Sequence, residues 1–451
     1  MKAKIIATYG PGMDSMETLR ELLKYVNVIR INMSHGDEKQ WAEFASKVRS
    51  VSRELGREIA LFADLPGPKI RIGKLVDPIK MKKGEEIALA YSKYSSNTEI
   101  VPLDYDIHKD VKAGAEVLIG EYSLRLKVKR LDKGRIICEA MNDGEITSHK
   151  GIGIKGLSAR VSPPTPEDLK RAEFAVKNGF DFLGISFVRE ASKIKRLRKY
   201  AGGLGIIAKI ERKIAIDNIA EIAEEADALM VARGDLAFDV DIDMIPIEQR
   251  RIITAGRDAG KPVIVATQML ASMVNNAIPT RAEVNDIANA IASGADCLML
   301  SDETAVGKFP VEAVKMLAQT ASNAEQFAPH MNGFRVTSIN GGIAFAASQL
   351  ADNYHTDMIF APTQSGTTPK ILSTLRPVSP ITALTGSEKV RKMLKLSYGV
   401  ESMNLKQYKT TDQMFERVKE IAKKGGIKKY IIVSGSPNKK GTTDTLKYIE
   451  N

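Results

Sequence analysis

The sequence Ile207-Ala208-Lys209-Ile210-Glu211 is a short apolar run that ends in charged side chains. It belongs to a series of eight such runs, each followed by sequence with helical periodicity. In chain order, the runs cover residues 5–8, 28–32, 60–64, 182–186, 207–211, 229–235, 263–267 and 298–303. Runs that are apolar throughout are typical of parallel strands buried on both faces. Eight β/α repeats therefore predict a closed (β/α)8 barrel.

Polar side chains end these runs, and parallel strands bring their carboxyl ends to one rim, where barrel enzymes have their active sites. These terminal residues are Thr8, Arg30, Asn32, Asp64, Ser186, Lys209, Glu211, Asp235, Thr267, Ser301 and Glu303. Lys209 and Glu211 are two residues apart, so their side chains project on the same side of a strand. With Asp235 on the next run, two carboxylates suit Mg²⁺ or Mn²⁺, and Mg²⁺ keeps its other positions for water and substrate. The alternative is an inert Lys209–Glu211 ion pair, which does not explain why Asp235 and Arg30 converge there.

Two stretches interrupt the barrel pattern. Residues 69–162 alternate apolar and polar side chains between turns, which predicts an inserted β-barrel lid domain after strand 3. Residues 331–451 predict a C-terminal α/β domain, with a helix through 344–350 and strands at 358–361 and 430–433. The barrel then comprises residues 1–68 and 163–330. Both joints of the lid lie at the rim, so the lid can close over a bound substrate.

Helix boundaries agree with this division. Thr280 and Glu283 form a Thr-x-x-Glu capping box before an apolar-periodic segment, and structural capping accounts for both residues without chemistry. Thr165 precedes Pro166, which is favoured in the first turn of a helix, so a helix is expected to start there.

Composition excludes several classes of protein. The chain carries 66 Lys and Arg against 55 Asp and Glu, for a net charge of +11, but aromatic residues are only 6% and no basic stripe alternates with stacking rings. That pattern argues against nucleic acid as a partner. No run of about 18 apolar residues and no apolar leader occurs, so we expect a cytoplasmic protein without a membrane partner. Cys138 and Cys297 are far apart, which excludes a disulfide framework.

Six strings of sequence together resemble the pyruvate kinase family. In order, they are residues 4–11, 30–36, 209–211, 231–236, 260–270 and 279–283. Their order and spacing agree with the family over nearly the whole chain, whereas the lid departs from it at residues 151–155, where an Asn-x-Pro string is usual. The resemblance implies Mg²⁺-dependent phosphoryl transfer from phosphoenolpyruvate to ADP, which gives pyruvate and ATP in the last step of glycolysis. It also implies a homotetramer.

The resemblance also implies roles for the rim residues. Glu211 and Asp235 would hold Mg²⁺, Lys209 would neutralise charge on the phosphoryl group and the enolate oxygen, and Arg30 would grip the phosphoryl group. Thr267 would take part in protonating the enolate. The residues implied in substrate binding are Arg30, Lys209, Ala232, Gly234, Asp235 and Thr267. Those implied in nucleotide binding are Asn32, Met33, Ser34, His35, Arg71 and Lys150.

The third-strand motif departs from the family in a way that bears on K⁺. The common motif is Asp-Thr-Lys-Gly-Pro-Glu, and residues 64–69 read Asp-Leu-Pro-Gly-Pro-Lys. Lys69 supplies a tethered positive charge and repels a second cation, so we expect activity without K⁺. A solvated hinge residue is the alternative role for Lys69. The residues equivalent to the monovalent-cation site are Asn32, Ser34, Asp64, Leu65 and Lys69.

Two loops of small polar residues, 363–368 and 434–445, follow strands of the C-terminal domain. Hydroxyls and backbone N–H groups near a helix start can bind phosphate. We therefore expect a phosphorylated effector as a partner. The candidate residues are Thr363, Ser365, Gly366, Thr367 and Thr368.

Two rival functions stay open on the residues alone. Another Mg²⁺-enolate barrel, such as an aldolase or a phosphoenolpyruvate-carboxylating or -mutating enzyme, would use Arg30, Glu211 and Asp235 as well. A non-catalytic metabolite sensor or a nucleic-acid-binding protein would draw on the +11 charge and the C-terminal loops, with weak salt-dependent binding and no turnover.

Overall fold

The computed structural model describes residues 1–68, 70–92, 99–120, 123–154, 162–327, 336, 338–405, 408, 410–435 and 441–450. Its strands are β1 (Lys4–Thr8), β2 (Val28–Asn32), β3 (Ala60–Asp64), β4 (Ile79–Met81), β5 (Glu86–Tyr91), β6 (Ile100–Leu103), β7 (Glu116–Ile119), β8 (Leu124–Asp132), β9 (Arg135–Ala140), β10 (Gly144–Ile146), β11 (Ile152–Ile154), β12 (Phe182–Ile185), β13 (Gly205–Ile210), β14 (Ala228–Ala232), β15 (Val263–Ala266), β16 (Cys297–Leu300), β17 (Met358–Pro362), β18 (Ile381–Leu384), β19 (Val400–Met403), β20 (Lys429–Ser434) and β21 (Thr445–Glu450).

The α-helices are α1 (Met16–Leu23), α2 (Glu38–Glu54), α3 (Pro166–Lys177), α4 (Ala191–Arg198), α5 (Lys213–Asp217), α6 (Ile219–Glu225), α7 (Arg233–Leu236), α8 (Ile245–Asp258), α9 (Arg281–Ser293), α10 (Asp302–Ala305), α11 (Pro310–Glu325), α12 (Ile339–Tyr354), α13 (Thr367–Leu375), α14 (Glu388–Met393) and α15 (Thr411–Lys424). Short 3₁₀ turns cover Pro11–Met13, Ile242–Met244, Ala271–Val274 and Leu394–Leu396. Within the described ranges, no helix combines the length and the apolar character that a bilayer crossing requires.

Eight parallel strands close into a barrel in the order β1-β16-β15-β14-β13-β12-β3-β2, which confirms the predicted (β/α)8 fold. Side chains alternate along each strand, so residues two apart point the same way. Ile207 of β13 and Met230 of β14 belong to one buried apolar cluster. Lys209 and Ala232, each two residues further along, therefore share its side of the barrel wall. The alternation that fills the barrel with apolar side chains also sends the last residues of the strands to the rim.

Several strands end earlier than the apolar runs predict. β14 ends at Ala232, and Arg233–Leu236 forms a helical turn instead of continuing to Asp235. β15 ends at Ala266 because Thr267 has a φ of 69°, which no strand residue adopts. β16 ends at Leu300, before the turn Asp302–Ala305. The predicted strand ends at 235, 267 and 303 are therefore wrong, since turns at the rim take up these residues.

The lid strands β4 to β11 lie between the third and fourth barrel strands. They form a six-stranded sheet in the order β11-β7-β8-β9-β5-β6 and a two-stranded sheet of β10 and β4, around an apolar core separate from that of the barrel. Asp168 at the start of α3 connects the two joints of the lid. Its carboxylate accepts hydrogen bonds from the backbone N–H groups of Gly67, at 3.2 Å, and Thr165, at 2.8 Å.

The C-terminal domain contains a five-stranded sheet in the order β19-β18-β17-β20-β21, with β21 antiparallel to β20. Contacts join it to the amino-terminal end of the barrel, opposite the rim. Lys4 Nζ lies 2.6 Å from Glu401 Oε1, and Arg376 Nη2 donates to the Ala295 carbonyl at 2.8 Å. Both cysteines are buried and unpaired, as predicted.

Thr280 caps α9 as the sequence predicts, and the contribution of this cap to the free energy of unfolding can be measured. Thr280 Oγ1 accepts from the N–H of Glu283 at 3.3 Å, and the Glu283 carboxylate accepts from the N–H of Thr280 at 2.8 Å. We expect Thr280→Ala to lower the free energy of unfolding by about 1 kcal/mol, measured in urea, because one helix N–H loses its partner. Thr280→Ser keeps the hydroxyl and serves as the control. Equal midpoints for the alanine and serine variants would contradict the capping role.

Candidate active site

Lys209 lies at the centre of the barrel rim, at the end of β13. Its ammonium Nζ lies 3.2 Å from Asp64 Oδ1 and 2.9 Å from Glu211 Oε1, and it donates to Ser186 Oγ at 2.8 Å. Only 8% of the residue is exposed. Burial opposes the charged form, but Asp64 and Glu211 outweigh it, so the pKa of Lys209 is raised. The rim therefore holds a permanent cation.

Asp64 connects this cation to a second one. Arg30 Nε donates to Asp64 Oδ2 at 2.7 Å, and Arg30 Nη1 donates to Thr8 Oγ1 at 2.9 Å. Burial raises the pKa of Asp64, but Lys209 and Arg30 outweigh burial and hold the pKa below its ordinary value. The strand pattern predicted Asp64 at the rim, and the family resemblance gave it a role only among oxygens for a monovalent cation. The structure places this carboxylate between two protein cations, a link that apolar periodicity does not encode.

Glu211 is fully buried behind Lys209, just after the end of β13. Its Oε2 accepts the backbone N–H of Phe187 at 2.6 Å. Its Oε1 faces the Lys209 ammonium, yet no donor is directed at it as a hydrogen bond. Burial raises the pKa of Glu211, Lys209 lowers it, and the neighbouring charge of Asp235 raises it further. Two close carboxylates, one with an unsatisfied buried oxygen, fit a divalent cation.

The donor set is small, which bears on the kind of metal. Within the described residues, no group of three or more His, Cys, Asp and Glu side chains is arranged to hold an ion. Mg²⁺ is usually bound through one or two carboxylates, with water and substrate oxygens completing its coordination. The pair Glu211 and Asp235 therefore suits Mg²⁺ better than a metal that requires a full set of protein ligands.

Thr267 lies in a strained turn beside Asp235. Thr267 and Gln268 have φ values of 69° and 54°, a conformation that costs of order 1–3 kcal/mol for each residue. Thr267 Oγ1 accepts the N–H of Gly234 at 2.9 Å. That N–H, which the family resemblance assigns to the substrate carboxylate, is therefore bonded to the threonine in this structure. A carboxylate would have to replace the hydroxyl to bind there.

Arg233 holds this turn in place, a role that the motif alone did not reveal. The residue is 8% exposed, and Nη2 donates to the Thr267 carbonyl at 2.6 Å. Nη1 pairs with Asp286 of α9 at 2.6 Å. Ser186 was also missed as a connecting residue: its hydroxyl donates to the Leu65 carbonyl at 2.6 Å and accepts from Lys209. Both contacts join residues that are distant in sequence, so spacing gave no signal for them.

The last residue of β2 and the loop after it carry most of the predicted nucleotide-binding residues. Asn32 Oδ1 accepts the N–H of Ser34 at 3.1 Å, and the side chain of Met33 is buried. His35 is exposed, and its pKa is lowered by partial burial and then by the charges of Arg71 and Arg30. The structure thus brings Arg71 of the lid near His35 and Arg30 of the barrel.

Two further predicted residues belong to the lid or lie outside the described residues. Lys150 is exposed and lies beside Gly120 of the lid: a Cβ built on that glycine would be 2.9 Å from Lys150 Cδ. Lys69 lies outside the described residues. Leu65 is buried, and its carbonyl already accepts the Ser186 hydroxyl. The predicted equivalent of the monovalent-cation site is therefore described only in part.

The two small-polar loops of the C-terminal domain lie together. Thr368 of the first loop and Thr443 of the second share a hydrogen bond of 2.7 Å. Within the first loop, Thr363 Oγ1 accepts the N–H of Gly366 at 2.9 Å, and the hydroxyls of Ser365 and Thr367 are 2.9 Å apart. Gly366 has a φ of 83° at the start of α13, where a side chain would be strained. Residues 436–440 of the second loop lie outside the described residues.

Comparison with known proteins agrees with this geometry. A family model described as "Pyruvate kinase, barrel domain" matches residues 1–314, and "Pyruvate kinase, alpha/beta domain" matches residues 342–449. A pyruvate kinase of Thermococcus litoralis is 37% identical over 88% of this chain and 88% of its own length. Pyruvate kinases of Geobacillus stearothermophilus and Clostridium perfringens are 36% and 34% identical over 99% of this chain, and over 80% and 99% of their own lengths. The chain therefore belongs to the pyruvate kinase family of phosphotransferases.

Proposed function

We propose that this protein is an Mg²⁺-dependent pyruvate kinase that transfers a phosphoryl group from phosphoenolpyruvate to ADP, with pyruvate and ATP as products. The observation that carries the proposal is the buried Lys209 ammonium between Asp64 and Glu211, with Arg30 on the other oxygen of Asp64. Phosphoryl transfer requires positioning and neutralisation of charge far more than covalent catalysis by the protein. A fixed lysine and a fixed arginine at one rim supply both.

Arg30 and Lys209 act on different parts of the reacting group. Asp64 and Thr8 fix the guanidinium of Arg30 before the substrate arrives, so binding the phosphoryl group costs little further ordering. Lys209 neutralises negative charge on the phosphoryl group in transit and on the enolate oxygen that remains. Both contributions require Asp64 to stay ionised, and its lowered pKa meets that requirement.

Glu211 and Asp235 would hold Mg²⁺ or Mn²⁺, as the unsatisfied Glu211 oxygen and the proximity of Asp235 suggest. When bound, the ion would supply positive charge that offsets the negative charge of the substrate. The turn with Ala232, Gly234 and Asp235 would receive the substrate carboxylate, and Thr267 would take part in protonating the enolate. The ADP phosphates would meet residues on the other side of the rim, namely Asn32, Met33, Ser34, His35, Arg71 and Lys150.

The central test is a coupled assay for ATP formation from ADP and phosphoenolpyruvate. We expect Lys209→Met to lower kcat by about 10³-fold, because no cation then stabilises the enolate oxygen. Lys4→Met is the matched control, since Lys4 is also a buried lysine paired with a carboxylate, Glu401, but lies at the opposite end of the barrel. It should keep kcat within about threefold.

The same assay distinguishes the rival functions. Near-normal turnover in a folded Lys209→Met variant would contradict the catalytic role. If the wild-type protein makes no ATP but consumes phosphoenolpyruvate, another Mg²⁺-enolate reaction takes its place. Weak, salt-dependent binding without turnover would indicate a metabolite sensor or a nucleic-acid-binding protein instead.

We further propose that the activity does not require K⁺, since Lys69 stands where the family commonly has glutamate. Its ammonium would supply the positive charge and repel a bound cation. The enzyme assayed in tetramethylammonium buffer should already be fully active, and added K⁺ should change kcat by less than about twofold. Lys69→Glu should create a K⁺ requirement. A rise of about tenfold on adding K⁺ to the wild-type enzyme would end the proposal.

A cytoplasmic homotetramer with a regulatory phosphate site in the C-terminal domain completes the proposed function. Thr363, Ser365 and Gly366 directly precede α13, Thr367 and Thr368 begin it, and the hydrogen bond between Thr368 and Thr443 joins the two small-polar loops. We expect a sugar phosphate or a nucleotide to shift the half-saturating phosphoenolpyruvate concentration by about fivefold or more. Thr367→Glu should abolish the shift by repelling phosphate. If no such compound moves the wild-type curve, the site has no regulatory role.

A further inference from the structure

Strand β11 of the lid packs directly against the barrel through a glycine. A Cβ built on Gly153 would lie 2.2 Å from Cδ1, 2.3 Å from Cγ and 2.5 Å from Cβ of Phe238. Real Cβ atoms do not approach other atoms so closely, and the Phe238 Cβ cannot move without its backbone. Both residues are buried. The phenyl ring of Phe238 therefore occupies the space that a side chain at position 153 would need.

Phe238 belongs to the turn that carries a proposed metal ligand. Its backbone N–H donates to the carbonyl of Asp235 at 3.2 Å, and the N–H of Ala237 donates to the carbonyl of Arg233 at 3.0 Å. Arg233 in turn is fixed by Thr267 and Asp286. The ring thus projects from a turn that is hydrogen-bonded within the barrel, so the barrel sets its position.

On the lid side, β11 determines where Arg71 lies. Gly151, next to β11, pairs with Arg71 in an antiparallel bridge. The N–H of Ile152 donates to Ile70 at 3.0 Å, and the N–H of Ile72 donates to Lys150 at 2.9 Å. A shift of β11 would therefore move Arg71 with it. Arg71 Nη1 donates to the His149 carbonyl of the lid at 3.1 Å, and from there its charge acts on His35 of the barrel.

We propose that Phe238 is a positioning residue that seats strand β11 through Gly153 and so sets the position of Arg71 relative to His35 of the barrel. The contact joins the turn that contains Asp235 to the lid. The position of Arg71 therefore depends on that turn. This inference rests on the proposed function for the identity of the ligand, ADP. It assigns a role to Phe238 and Gly153 that neither a motif nor the site residues indicated.

A double-variant cycle in the ATP-forming assay tests the contact. We expect Gly153→Ala to raise the KM for ADP about tenfold, because a methyl group in the ring's space lifts β11 and moves Arg71. The KM for phosphoenolpyruvate should change less than about twofold, since Arg30 and Lys209 belong to the barrel. In a Phe238→Ala background, where the ring is gone, Gly153→Ala should add less than about twofold to the KM for ADP.

Gly144→Ala is the matched control, because its Cβ would also crowd neighbours, but only within the lid: 2.9 Å from the Leu124 Cβ and 2.9 Å from the Ser123 carbonyl. Its effect on the KM for ADP should be the same with and without the Phe238 ring. A Gly153→Ala effect that is equally independent of the ring would overturn the proposal. So would an unchanged KM for ADP in Gly153→Ala.

Hydrogen exchange separates a failure of this inference from a failure of the proposed function. Amides of residues 150–154 should exchange faster in Gly153→Ala than in the wild type, and Phe238→Ala should cancel the difference between glycine and alanine. This readout requires no turnover. If the wild-type enzyme makes no ATP but the exchange rates follow this pattern, the proposed role of the contact is supported and the assigned reaction is contradicted. If the wild-type enzyme makes ATP but Gly153→Ala does not change the exchange rates of these amides, the proposed role of the contact is contradicted and the assigned reaction is not.

Discussion

A buried ammonium requires carboxylates around it, and that constraint organises the rim of this barrel. A charge removed from water is costly unless it is paired and hydrogen-bonded. Lys209 meets the requirement with Asp64, Glu211 and Ser186, which come from or follow strands β3, β13 and β12. Asp64 in turn fixes Arg30 on β2. Alternating charges thus connect the ends of four strands, and the same arrangement places two cations, Arg30 and Lys209, at one rim.

Strand β1 makes contacts at both ends of the barrel through side chains on one side of the strand. On β1, Lys4 and Thr8 lie four residues apart and therefore on the same side of the strand. Lys4 pairs with Glu401 of the C-terminal domain, whereas Thr8 supports Arg30 at the rim. Strand β1 thus connects the C-terminal domain physically to Arg30 at the rim. A regulatory signal from the loops that join at Thr368 and Thr443 would have to cross the barrel.

The sequence predicted the barrel because eight apolar runs and their helices are local signals, and it predicted the Lys209–Glu211 face because strand periodicity is local too. The bridging role of Asp64, the support from Ser186 and the clamp by Arg233 depend on partners more than 20 residues away. The turns that end β14, β15 and β16 depend on backbone angles such as the φ of 69° at Thr267, which apolar runs do not record. The role of Gly153 likewise becomes visible only when Phe238 lies against it.

Divalent-metal affinity tests the central claim most directly, since it requires neither substrate nor turnover. Mn²⁺ binding followed by electron paramagnetic resonance should show one site in the wild-type protein. In Glu211→Gln, the dissociation constant should rise by about 100-fold, because a neutral amide replaces one of the two carboxylates proposed to bind the ion. Equal Mn²⁺ affinity in the two proteins would mean that Glu211 serves only to hold Lys209, and the proposed metal site would be contradicted.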